Sequence, residues 1–112
     1  MKVGELVPVA EHRAAFQLYS LKRIADCCGC YCLTNATSDI LYIGQALSVP
    51  TRLRQHFDSD KRAALTNYGR VSMVWWRLEE RHRISALERG WIELYRLREG
   101  VLPLLNRIGA PT

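Results

Sequence analysis

The apolar positions of the chain fall into five patterned stretches. Between Gly29 and Gly44, two short apolar runs, each holding one tyrosine, flank the polar stretch Asn35-Ala36-Thr37-Ser38-Asp39. A period-two run, turn formers and a second period-two run predict a β-hairpin with strands at about 29–34 and 39–44. Strict alternation puts Tyr31 on the face of Leu33, and Tyr42 on the face of Ile40. On propensity alone both tyrosines are packing residues, because tyrosine is favoured in strands.

Ser48-Val49-Pro50 is a helix start, with Ser48 as the cap and proline in the first turn, where its missing N–H is not needed. That helix is expected over about 49–58, stopping near Asp58-Ser59-Asp60, with Val49, Leu53 and Phe57 as its core stripe. At 100° per residue Arg52 and His56 lie together beside the stripe, and Arg54 points to the solvated side. Residues 59–70 are polar, with a turn at Asn67-Tyr68-Gly69, and Val71 to Leu78 is β-branched and aromatic enough to predict a third strand, buried over most of its length. A long helix is expected over 81–99, ending at Gly100, with apolar stripe Ile84, Leu87, Trp91, Leu94 and Tyr95. Upstream, residues 1–10 have no clear period, and Ala14, Ala15, Leu18, Leu21, Ile24 and Ala25 predict a helix over 11–25. In the tail, Leu102, Leu104 and Leu105 are expected to pack back on the core and hold Asn106 near it.

One charge breaks this pattern. Glu88 falls inside the apolar stripe of the last helix, whereas Glu93 sits on its opposite face. A carboxylate on a buried face is costly unless it is paired or binds a metal, so Glu88 is either a structural partner of an arginine or a ligand or catalytic group in a pocket.

Length and composition then set limits. A chain of 112 residues is one domain that can bury a core without staples. No apolar run approaches the ~20 residues of a membrane span, and the N-terminus lacks a signal-like apolar segment, so a cytosolic protein is expected. The net charge of +5 comes mostly from arginine. Arginine suits bidentate phosphate contacts, which makes nucleic acid the first partner to consider beside a merely solubilising excess. Cys27, Cys28, Cys30 and Cys32 lie in one window and cannot clip distant segments. Alternation puts Cys28, Cys30 and Cys32 on one face and Cys27 on the other, and reduced, buried apolar packing is expected of them.

Taken in order, these residues resemble the GIY-YIG nuclease family. Gly29-Cys30-Tyr31 stands for the first triplet and Tyr42-Ile43-Gly44 is the second unchanged. Arg52 follows Tyr42 by ten positions and His56 by fourteen, Glu88 lies early in the long helix, and Asn106 matches the late asparagine. The resemblance spans residues 29–106; Cys30 replaces the usual Ile or Val, and Gln45 stands where some members have lysine. It implies an α+β fold: a three-stranded antiparallel sheet flanked by helices in β-β-α-β-α order. Residues 29–112 would then be the nuclease domain, and residues 1–28 a helical N-terminal extension packed on it.

It also implies a metal-dependent endonuclease acting on DNA. Glu88 would hold one Mg²⁺ or Mn²⁺ and Arg52 would contact the phosphate. Tyr31, its phenol acidified by nearby cations, would be the general base, helped by Tyr42 and His56, while Asn106 braces the site. Recognition would be phosphate-led, through the basic surface, a partner protein or a homodimer. Two rivals are a non-catalytic nucleic-acid-binding module of the same fold and a metal–thiolate protein built on the four cysteines.

Overall fold

The computed structural model describes residues 1–59 and 65–107; Asp60, at the expected helix stop, and residues 61–64 of the polar stretch lie outside the described residues. Strands β2 (Gly29–Thr34) and β3 (Ile40–Ala46) form the expected hairpin. Its tip is built by Asn35, whose Oδ1 accepts from the Thr37 and Asp39 amides at 3.1 and 2.8 Å, with Ser38 at φ 70° between them.

One detail of the hairpin departs from simple alternation. Leu33 pairs with Tyr42 but Thr34 pairs with Ile40, so Leu41 is an extra residue on β3. This bulge reverses the facing of Ile40. Tyr42 packs with the Tyr31 and Leu33 side of the sheet, and Ile40 packs on the other. The expectation that Tyr42 shares a face with Ile40 is therefore corrected.

Helix α2 (Val49–Phe57) begins at Ser48, whose Oγ accepts from the Thr51 amide, with Pro50 in the first turn. Val49 and Leu53 are fully buried and Phe57 meets Phe16 edge-on, ring centres 5.5 Å apart. Strand β4 (Met73–Leu78) pairs antiparallel with β2 along its length. It is buried at alternate positions, Val74 and Trp76, rather than over most of its length. Helix α3 (Ile84–Glu99) follows a 3₁₀ turn at Arg81–Arg83 and ends where Gly100 takes a left-handed φ of 77° and donates to the Arg96 carbonyl.

The sheet has four strands, not three. The helix expected over 11–25 does not form: His12–Ala15 is strand β1, and only Leu18–Leu21 is helical, as α1. β1 pairs with β4, giving the order β1-β4-β2-β3, antiparallel throughout. Side-chain contacts on both faces reinforce the pairing. His12 stacks on Trp76 with ring centres 5.5 Å apart, and the Arg13 guanidinium lies 5.6 Å from the Trp75 ring. Those long-range contacts outweigh the helical preference of the isolated segment.

Two apolar layers sandwich the sheet. On one face Tyr31, Leu33, Leu41, Val74 and Trp76 pack with α1 and α2. On the other, Cys30, Cys32 and Ile43 pack under Ile84, Trp91 and Tyr95 of α3, with Val3, Leu6 and Ala10 from the N-terminal segment. Cys28 joins the second layer and Cys27 the first, as alternation requires. Among the described residues no helix is long and apolar enough to cross a membrane.

Candidate active site

Four consecutive residues of β3 each hold one piece of the site. Tyr42 meets His56 edge-on with ring centres 4.8 Å apart, and lies 6.0 Å from the ring of Tyr31. Ile43 is gripped through its backbone: its N–H donates to Asn106 Oδ1 and its carbonyl accepts from Asn106 Nδ2, both at 2.9 Å. Gly44 lies under the Tyr31 phenol, where a Cβ would stand 2.5 Å from both Cζ and Oη. Gln45 turns to the other face, and its Nε2 donates to Glu88 Oε1 at 3.2 Å.

The sequence explains why these groups converge. Alternation on β2 and β3 sends Tyr31, Tyr42 and Gly44 to the α2 face, while Gln45 goes to the α3 face. On α2, positions 52 and 56 are one turn apart and rise together from the edge of the stripe that buries Val49 and Leu53. His56 is only 5 % exposed, and its Nε2 lies 2.6 Å from Tyr31 Oη. The exposed Arg52 donates from Nη1 to Gln55 Oε1 at 3.2 Å, and its interaction with the nearby Tyr31 phenol, with a smaller one from Tyr42, pushes its guanidinium pKa up. Arg54 is exposed on the side of α2 away from the tyrosines, beside Lys22, Asp26 and Thr51.

Tyr31 differs from expectation in its acidity. It is completely buried, and burial pushes its phenol pKa well up, against the smaller lowering effect of Arg52. Nearby cations do not acidify it, because desolvation of a phenolate inside the sheet–helix layer is the larger effect. Tyr31 is a neutral hydroxyl bonded to an imidazole.

Glu88 sits half-buried between Ile84 and Trp91 on α3. Burial raises its pKa, and the hydrogen bond from Gln45 lowers it by less. Among the described residues no lysine or arginine pairs with it, and Gln45 is its hydrogen-bond partner. A half-buried carboxylate with oxygen lone pairs to spare fits a hard divalent cation that keeps most of its waters. The described residues contain no group of three or more His, Cys, Asp or Glu placed to hold a metal, so an ion at Glu88 would take much of its coordination from other donors such as water. The cysteines suit a thiolate site poorly. Cys30 donates to the Ile84 carbonyl at 3.2 Å, and burial pushes its thiol up to about 12.

The residues therefore form two groups on one strand. Tyr31, Tyr42, Arg52 and His56 touch one another on the α2 face, and Glu88 reaches β3 from the α3 face through Gln45. Asn106 bonds to the Ile43 backbone and fixes the strand between the two groups. Sequence reasoning passed over the role of Gln45, which stands directly after the second triplet, and of Ser85, whose Oγ donates to Gln45 Oε1 at 3.1 Å. The signal was there: Ser85 and Glu88 are three apart on one helix, so both face the same neighbour.

No curated protein matches the chain. A family model does match: that of the GIY-YIG catalytic domain, over residues 27–100, roughly two thirds of the chain. That match spans both triplets, Arg52, His56 and Glu88, and the protein belongs to the GIY-YIG family of nuclease domains.

Proposed function

We propose that this protein is a divalent-metal-dependent endonuclease that hydrolyses DNA phosphodiester bonds. The observation that carries the reading is the convergence on β3: an arginine and a hydroxyl–imidazole pair on one face of residues 42–45, and a half-buried carboxylate at the other.

Arg52, exposed and already turned toward the two phenols, binds the scissile phosphate and stabilises the negative charge that grows on its oxygens. The hydroxyl–imidazole pair removes the difficulty of a buried phenol as base. Tyr31 Oη takes a proton from the attacking water while its own proton passes to His56 Nε2, so no free phenolate forms. Tyr42, packed against both rings, orients the water. Glu88 would hold a divalent ion, Mg²⁺ or Mn²⁺, which would supply charge neutralisation at the phosphate and leaving oxygen. The water oxygen forms its bond to phosphorus as the bond to the 3′ oxygen breaks, and that oxygen takes a proton from solvent, leaving a 5′-phosphate and a 3′-hydroxyl. Asn106 braces the strand and takes no part in proton transfer. With an arginine-rich surface, DNA binding is phosphate-led and weak in sequence preference.

Cleavage of plasmid, branched and single-stranded DNA with Mg²⁺ or Mn²⁺ tests this, comparing wild type with Glu88→Ala and Arg52→Ala. Each variant is expected to fall by at least about 100-fold. Equal nicking by all three proteins would identify a contaminant and remove the assignment. A non-catalytic binding module would instead bind DNA without metal-dependent nicking in any of the three.

A further inference from the structure

Gln45, Ser85 and Glu88 form a chain of hydrogen bonds whose direction is fixed by its last member. Glu88 Oε1 accepts at 3.2 Å and, as a carboxylate, can only accept, so the group facing it must be the Gln45 NH₂. The opposite amide orientation would set a carbonyl oxygen against the carboxylate. With the NH₂ committed, Gln45 Oε1 faces Ser85, whose hydroxyl donates to it at 3.1 Å. Each group thus has one role, and the amide of an edge strand is held against one turn of α3. The backbone beneath it is held too, because Asn106 pairs with both polar groups of Ile43, two residues earlier.

From this geometry we infer that Gln45, seated by Ser85, is a positioning residue for Glu88: it fixes the carboxylate for a divalent cation without neutralising it. The inference rests on the reading of Glu88 as the metal-binding carboxylate. The chemistry of the amide is what suits it to the task. A neutral donor occupies one lone pair of Oε1 and leaves Oε2 and the full negative charge for the ion. An ammonium at the same position would orient the carboxylate equally well, but it would compete with the cation for the same charge. Hydrogen bonds to metal-binding carboxylates commonly change metal affinity about 10–100-fold.

Mn²⁺-induced broadening of backbone amide signals, followed by NMR titration, reads binding of the metal alone and does not depend on cleavage. The proteins compared are wild type, Gln45→Met, Gln45→Lys, Ser85→Ala and Glu88→Gln. In wild type the broadening is expected to centre on residues 45 and 85–88. Gln45→Met should need about tenfold more Mn²⁺ to reach half effect, Gln45→Lys more again, and Ser85→Ala an intermediate amount, all with a cooperative melting transition retained. Raised Mn²⁺ should restore DNA cleavage to Gln45→Met but not to Glu88→Gln. If Glu88→Gln leaves the broadening in place, the metal reading of Glu88 itself fails. If Glu88→Gln abolishes it while Gln45→Met and Gln45→Lys titrate like wild type, the positioning role of Gln45 alone is overturned.

Discussion

Glu88 occupies a helix face otherwise given to Ile84, Trp91 and Tyr95, and burial raises its pKa. Its contribution to stability has a definite sign. A carboxyl group whose folded-state pKa lies above the unfolded value stabilises the fold below the unfolded pKa, and that contribution is lost as pH rises through the folded value. At neutral pH, without a divalent ion, the ionised Glu88 therefore opposes folding. Glu88→Gln is expected to melt above wild type at pH 7, with the difference closing toward about pH 4, where model carboxylates protonate. Added Mn²⁺ should raise the melting temperature of wild type and leave Glu88→Gln unmoved. Thermal scans at several pH values, with and without Mn²⁺, check both signs; an equal Mn²⁺ response in the two proteins would count against a metal at this carboxylate. The identity of Glu88 as an anomaly was legible from helical spacing alone. The acidity of Tyr31 was not, because the string shows nearby cations but not the complete burial that outweighs them.

At the scale of elements, the hairpin sets the site through what it leaves out as much as through its tyrosines. Gly44 has no side chain where the Tyr31 phenol crosses the sheet, and an added methyl would also meet Tyr42 Cε1 at 2.9 Å. Gly44→Ala is expected to displace both phenols, with a loss of about 1–3 kcal/mol in stability and a drop in cleavage greater than that loss explains. Chemical denaturation and cleavage rates measured together check it. The same operation at Gly29 sets a Cβ 2.0 Å from the Arg77 carbonyl oxygen, so there the β2–β4 pairing itself must move. Asn106 does for β3 what a further strand would do at that position, satisfying both polar groups of Ile43 on an open edge. Asn106→Ala leaves both without that partner and is expected to destabilise by about 1–3 kcal/mol, measured by the same denaturation, with a smaller effect on rate than Arg52→Ala. The strands with alternating, β-branched or aromatic residues and the two capped helices were readable from their periods. β1 was not: His12-Arg13-Ala14-Ala15 carries no β-branched residue, and its strand form comes from pairing with Trp75 and Trp76, more than 50 positions away. The bulge at Leu41 was hidden for a similar reason, because a pattern with one extra residue reads as alternation on either side of it.

At the scale of the whole molecule, the segment before the hairpin belongs to the fold. Val3, Leu6 and Ala10 enter one apolar layer, and Phe16 and Leu21 the other, so residues 1–28 supply an edge strand and part of both cores. Burying a Val, Leu or Phe side chain contributes about 1.5–3 kcal/mol, and Val3, Leu6, Phe16 and Leu21 together approach the about 5–15 kcal/mol that ordinarily holds a domain. A chain beginning at Cys27 is expected to lose its cooperative thermal transition by circular dichroism; a sharp transition near that of the full chain would show that β1 and the turns before it are dispensable.

In the proposed mechanism two faces of one sheet would act on one phosphate, Arg52 from the α2 side and Glu88 from the α3 side. A double-mutant cycle on the single-turnover rate of plasmid nicking tests that union most directly. Arg52→Ala and Glu88→Ala are each expected to slow the reaction by about 10²–10³-fold, and the double variant to be little slower than the worse single, because groups acting as one unit are not additive. A double variant slowed by the product of the two separate losses, or a single variant nicking at the wild-type rate, would contradict a shared centre.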